Sequence, residues 1–431
     1  MTLVDGLARY ARTLLTLPRD IHLFFAYALF SNVAIGAFAL LYNLYLVQLR
    51  YREDFIGLVN AISTAALAVS AVGLGKLLHD RGPWWCLFYG TAFYLVTSML
   101  LAFASQPLAV VASAVLQGMA TTFLFVPLMP FVIEHAPPAQ RPTVAAMALS
   151  LTSASATVGS LLAGGLPSLI GTLTGWPVSS AVTYRWSLLA SIVVCAGALP
   201  PLLLMHDPRG PATHTTGSLR VQEEGVTDSQ WQLRQYLRAF VLAGGLLSIG
   251  NGAVVPFYNV FLTTLGLSAQ AIGVFYAAAS LTGAVLGLFA PAVARALGPL
   301  HAATFIRFAP IPLFALLALF PATPLAIVAH LVRMTSISMA WPIDSMLIAE
   351  VLPSAVRANA FSFRSAAWNL GFAVASLLSG QLIVALGYGP AFAIYALFCT
   401  LAVAYFQRRF RQHPAAQGHR GRVQPASGPE R

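Results

Sequence analysis

Apolar runs of about 20 residues or more follow one another along almost the whole chain, broken by short stretches that carry Gly, Pro and Arg. A run of that length crosses the ~30 Å hydrocarbon core of a bilayer as a helix, which satisfies its own backbone hydrogen bonds where water is absent. The pattern predicts twelve spanning helices, over residues 21–49, 55–78, 84–105, 108–134, 143–171, 184–206, 238–265, 270–297, 301–320, 325–350, 358–386 and 389–407. Polar residues gather in three places outside them. The stretch from Asp207 to Gln235 is the one long hydrophilic segment inside the chain, and the tail after Phe410 is basic. Residues 1–19 set Leu3, Val4, Leu7, Ala11, Leu14 and Leu15 against Arg9, Arg12 and Arg19, the pattern of an interfacial helix.

The series of spans is itself repeated. At an offset of 216 positions, Tyr42, Asn43, Ile56, Gly57, Gly82 and Pro83 fall on Tyr258, Asn259, Ile272, Gly273, Gly298 and Pro299. The same offset carries Glu134, Pro137 and Arg141 onto Glu350, Pro353 and Arg357, and SLLAGGL at 160–166 onto SLLSGQL at 376–382. Three separate regions in one register imply two copies of a six-span unit in parallel orientation.

In this duplication the chain resembles the major facilitator superfamily, whose members carry two six-helix bundles joined by a cytoplasmic linker. The loop between spans two and three, Gly75-Lys-Leu-Leu-His-Asp80-Arg81-Gly82, is similar to the family's Gly-x-Leu-Ala-Asp-Arg-x-Gly-Arg, with the acid displaced by one residue. The second copy, Pro291-Ala-Val-Ala-Arg295-Ala-Leu-Gly298, has arginine at the acidic position. The Arg-x-x-Gln-Gly of many drug/proton antiporters appears as Ala114-Val-Leu-Gln117-Gly118, without its arginine. The resemblance implies an all-α membrane protein, twelve transmembrane helices in two pseudo-symmetric six-helix bundles. The expected divisions are an N-terminal bundle over 1–206, a linker over 207–237, a C-terminal bundle over 238–409 and a disordered tail over 410–431.

Composition narrows the class further. With 58% hydrophobic and 9% charged residues, the chain is no ordinary soluble domain. Its net charge of +11 would suit nucleic acid, but the cations sort by membrane side. Of 24 Lys and Arg, 20 fall on the side that holds both termini, three (Arg50, Arg52, Arg185) fall opposite and Arg333 lies within a span. The positive-inside rule then predicts cytoplasmic termini in the cell membrane, with the basic tail a topology anchor near anionic lipid rather than a nucleic-acid arm. Cys86, Cys195 and Cys399 fall inside spans without paired spacing and read as apolar filler, so no disulfide or metal framework is expected. There is no Gly-x-x-x-x-Gly-Lys-Ser/Thr loop for direct ATP drive, and no cofactor is implied.

Candidate chemistry concentrates in residues 325–350. No other predicted span holds as much charge as His330, Arg333 and Asp344. A charge near mid-bilayer costs about 2.5 to 3.5 kcal/mol, so such groups face a protein interior or a watery cavity. Three- and four-residue steps line His330, Arg333, Trp341 and Asp344 along one helical stripe. In the resembled fold, spans one, four, seven and ten face the cavity. That adds Asn32 and Asn43 from span one, Gln117 from span four, and Asn251, Tyr258 and Asn259 from span seven as substrate contacts; helix-to-helix hydrogen bonding is the alternative for each amide. Gln117 is the counterpart of Arg333, a neutral group opposite a fixed cation. Asp344 lies about 16 Å along the helix from Arg333, too far to pair with it, and is expected to pair with Arg364 or Arg307 as a structural or gating ion pair. Asp80, Arg81, Glu134, Arg141, Glu350 and Arg357, at span ends, are candidate gating or loop-stapling charges.

These features predict a secondary transporter, not an enzyme. The resemblance implies that it moves a small organic solute by alternating access, and the buried charges point to Arg333 binding an anionic or carbonyl-bearing substrate with His330 beside it. A coupling proton through Asp344 or His330 stays open, and the chain is expected to work as a monomer in contact with membrane lipid. Two other readings remain: proton-linked efflux of amphipathic drugs, and a non-transporting membrane sensor or assembly factor.

Overall fold

The structure, a computed structural model, describes residues 16–205, 230–352 and 354–411. Residues 1–15 of the expected interfacial helix, most of the linker and the tail beyond Arg411 lie outside the described residues. Among those described the chain is helical, with no strand. Twelve helical segments are long and apolar enough to cross a membrane: Arg19–Gln48, Glu53–Arg81, Pro83–Phe103, Pro107–His135, Thr143–Thr174, Ala181–Leu204, Gln235–Thr264, Ala269–Gly287, Pro299–Leu319, Thr323–Ser345, Ala360–Leu386 and Gly389–Phe410. They are numbered here as spans one to twelve.

Proline marks several of the starts and breaks of the spans, although Pro167 and Pro342 sit inside continuous helices. Pro83, Pro107 and Pro299 sit in the first turn of spans three, four and nine, where a missing N–H costs nothing. Inside a span the same deficit interrupts the hydrogen-bond ladder. Span four is divided beside Pro127, span nine beside Pro310, and span seven by a 3-10 turn over Val255–Phe257 that contains Pro256. The apolar run 270–297, read from sequence as one span, is two helices: span eight ends at Gly287, and Ala290–Leu297 follows with Pro291 in its first turn.

By its contacts the chain forms two compact units. The first comprises Met1–Thr216, Pro256–Ala277 and Ser376–Val384; the second comprises Gly217–Val255, Ala278–Ala375 and Ala385–Arg431. Each has its own apolar core. In the first, Phe24 stacks on Phe131 with ring centroids 4.9 Å apart, among Ile21, Leu87, Val132 and Leu202. In the second, Phe240 packs against Phe406 and Phe410 beside Ala303, Leu347 and Ile348. Phe240, Ala303, Leu347 and Ile348 occupy the positions that the 216-residue offset assigns to Phe24, Leu87, Phe131 and Val132.

Close helix crossings obey the same offset. Within the first unit, a side-chain carbon at Gly57 would strike the Ser376 carbonyl and one at Gly380 the Glu53 carbonyl. Their counterparts Gly273 and Gly164 meet the Ser160 and Ala269 carbonyls in the same way. Absence of a side chain lets these backbones touch.

Candidate functional site

Asp344 lies in the C-terminal third of the span-ten helix, Thr323–Val351, and is only 3% exposed. One carboxylate oxygen accepts from Arg307 of span nine, the other from Arg364 of span eleven. Each cation also rests on an aromatic ring: Arg307 lies 5.1 Å from the Phe406 centroid and Arg364 5.9 Å from that of Trp341. Gly244 leaves room for the Arg364 stem, since a side chain there would press on its Cγ. The arrangement carries one net positive charge, because two guanidiniums share one carboxylate.

This cluster forms part of the wall of a cavity of about 410 Å³ inside the second unit. Asn251, Arg307, Trp341, Asp344, Arg364 and Trp368 bring polar and aromatic groups to it. Trp341 is 67% exposed despite its place mid-helix, so its ring is available to the cavity. Ser248 donates to the Trp368 carbonyl and ties span seven to span eleven. A wall with a charged end and large apolar faces suits a solute with one ionic group on an apolar body.

Arg333 does not line this cavity. It is 5% exposed and stands behind Asn251, donating from Nη1 to Oδ1 at 3.3 Å, while Nη2 reaches Met334 Sδ at 3.6 Å and His330 Nδ1 at 3.5 Å. The Asn251 amide donates to the Leu247 carbonyl at 2.9 Å, so the residue is held from both ends. Shared helical spacing puts Arg333 and Trp341 on one stripe, but their depths differ: the neutral partner Asn251 stands between Arg333 and the open space.

The remaining amide candidates are bonded within the protein. Asn32 donates to Ala28 O at 2.8 Å in its own helix. Gln117 accepts from Thr97 and donates to Ser98 Oγ at 2.9 Å. Asn43 and Asn259 donate to Pro256 O and Leu40 O, and Tyr258 is buried with its ring 5.9 Å from Phe261. None of these lines the cavity.

Among the span-end charges, Arg141 donates to the Ala136 carbonyl at 3.3 Å and closes the loop after span four, whereas Glu134 is exposed. Asp80 and Arg81 are exposed, with the Arg81 guanidinium 5.5 Å from the Trp85 centroid. Glu350 and Arg357 fall in helices, but their side chains lie outside the described residues. Among the described residues no group of three His, Cys, Asp or Glu is placed to hold a metal, and the three cysteines are free and buried.

Trp368, Phe361 and Ser365 were missed by the sequence reading. With Arg364 they recur at three- and four-residue steps on span eleven, a stripe visible in the sequence but set aside because the resemblance directs attention to spans one, four, seven and ten.

The sequence model of the Major Facilitator Superfamily matches residues 23–357. Among solved structures, the nucleoside transporter NupG aligns with a TM-score of 0.69 at 16% identity, over 91% of this chain and 99% of its own. A bacterial homologue of the human lysosomal transporter Spinster, in an inward-facing and occupied conformation, gives 0.66 at 13% over 91% and 96%. A D-xylose-proton symporter gives 0.68 at 16% over 90% and 96%. These likenesses concern the fold. No curated protein matches the chain. The duplicated twelve-span architecture and the family pattern over three quarters of the length together establish that this chain belongs to the Major Facilitator Superfamily, as a multi-pass membrane transporter of small solutes and not an enzyme.

Proposed function

We propose that the protein is a secondary transporter moving an organic anion with an apolar body across the cytoplasmic membrane by alternating access, both termini being cytoplasmic. The observation that carries the reading is the cavity wall in which Asp344 serves two arginines. A fixed excess of one positive charge in a largely apolar recess attracts an anionic group and disfavours a cation. Arg364, the more exposed of the two at 14%, offers the anion a guanidinium, while Trp341 and Trp368 flank its apolar part. Arg333 acts one layer back, by orienting Asn251. Asp344 serves as counter-charge to the arginine pair and not as the proton carrier.

The test is reconstitution into liposomes with a panel of organic anions, neutral nucleosides and sugars, and lipophilic cations, each with and without a pH gradient. Saturable flux of an anion is expected, falling at least about tenfold in Arg364→Gln, the loss of one charge-assisted hydrogen bond. Flux confined to lipophilic cations would favour drug efflux and overturn the anion assignment. A pH gradient that drives flux in the parent protein would add a coupling proton, which the present geometry does not assign to Asp344.

A further inference from the structure

Asn43 and Asn259 are equivalent residues in the two copies of the repeat, and the hydrogen bonds they make are equivalent as well. Asn43 Nδ2 donates to the Pro256 carbonyl at 2.7 Å, and Asn259 Nδ2 donates to the Leu40 carbonyl at 2.9 Å. The offset of 216 that carries Asn43 onto Asn259 also carries Leu40 onto Pro256. Each amide therefore reaches across to the carbonyl three positions before its own counterpart, so the two bonds are reciprocal under the repeat. Both side chains are buried, and both bonds lie inside the first compact unit.

The local backbone explains why the carbonyls are free to accept. Pro256 breaks span seven into a 3-10 turn, and Asn259 Oδ1 takes the Val260 amide at 3.0 Å. In an unbroken helix that amide would bond the Pro256 carbonyl. The Asn259 side chain thus releases the acceptor that Asn43 uses, so the two halves of the device depend on each other. Leu40 lies in a continuous helix, where the second lone pair of its carbonyl serves Asn259. Asn60 Nδ2 donates to Asn43 Oδ1 at 3.2 Å and fixes which end of that amide faces span seven. Asn43 and Asn259 fall toward the ends of spans one and seven that, by the alternation of spans, lie opposite the chain termini.

We infer that Asn43 and Asn259 form a reciprocal latch that holds spans one and seven together at that face and must release once in each transport cycle. They are conformational residues, not substrate contacts. Release of such a pair needs no ion and no titration: both bonds are neutral, each is worth little alone, and they act on the same joint. The inference rests on the transporter reading, in that a cycle must open this face, but not on the identity of the solute.

The test places a reporter at Tyr42, which is 8% exposed beside the latch, as Tyr42→Cys in a background where Cys86, Cys195 and Cys399 are alanine. Labelling by a polar maleimide is followed in detergent, without substrate. Asn43→Ala and Asn259→Ala are each expected to speed labelling at least about fivefold, the effect of one net hydrogen bond. Asn32→Ala, whose amide bonds within its own helix, should leave the rate unchanged. If alanine prevents folding, Asn43→Ser and Asn259→Ser replace it with the same expected order. Parental labelling rates in both asparagine variants, or an equal acceleration in Asn32→Ala, would overturn the latch. Because no solute is present, failure of the anion assignment in liposomes leaves this result standing, and the reverse is also true.

Discussion

A carboxylate buried between two guanidiniums is stable only while both sides of the arrangement are present. Removing Asp344 leaves Arg307 and Arg364 facing each other in a place from which water is largely excluded, and breaking a buried pair in this way costs about 3 to 5 kcal/mol. Asp344→Asn is therefore expected to lower the thermal unfolding temperature in detergent markedly. The double variant Asp344→Asn/Arg364→Gln returns the net charge to its original value and should recover part of the loss. A single variant as stable as the parent would mean that the cluster does not hold spans nine, ten and eleven together. The pairing was legible because depth along a span can be counted from its ends, which put Arg307 and Arg364 at the height of Asp344. The position of Arg333 was not legible. Helical spacing reports direction around an axis, and whether a group in that direction reaches open space depends on what the next helix interposes, here Asn251.

At the scale of the element, the turn after span one and the turn after the second part of span seven show how one backbone shape tolerates two sequences. Arg50 has φ of 68° and Gly266, its counterpart, has φ of 86°. Both close the same C-terminal motif: Arg50 N bonds Val47 O and Tyr51 N bonds Leu46 O, while Gly266 N bonds Thr263 O and Leu267 N bonds Leu262 O. A side chain in this left-handed region costs about 1 to 2 kcal/mol, which glycine avoids. Gly266→Ala is expected to destabilise the protein by about 1 kcal/mol, measured as a drop in unfolding temperature. At Arg50→Gly, relief of strain and added freedom of the unfolded chain oppose each other, so the net change should stay within about 0.5 kcal/mol. Equal losses from both substitutions would contradict this account. Spans were easy to read from the chain because hydropathy marks them directly. Their internal breaks were not, since Pro127, Pro256 and Pro310 lie in runs apolar enough to mask the missing amide.

For the whole molecule, the duplication is where sequence and structure agree most closely: cores, helix crossings, caps and the paired asparagines all recur at one offset. The departures from the repeat are then informative, and the sharpest is Gln117 against Arg333. In the first copy, Thr97 and Ser98 close a neutral set of hydrogen bonds around the Gln117 amide. The equivalent positions in the second copy are Leu313 and Phe314, which offer no polar group, and Asn251 supplies the acceptor instead. Exchanging the two residues should therefore be strongly unequal. Gln117→Arg buries a cation among hydroxyls with no carboxylate among the partners described for that amide, at a cost of about 2.5 to 3.5 kcal/mol. Arg333→Gln substitutes an amide that still donates to Asn251 Oδ1, and should change stability by no more than about 1 kcal/mol. Unfolding temperatures of the two variants in the same detergent decide it. If Arg333→Gln is the more damaging, the cation is anchoring the second unit, and its place behind Asn251 would have to be read as a structural support instead of a tuner of the cavity.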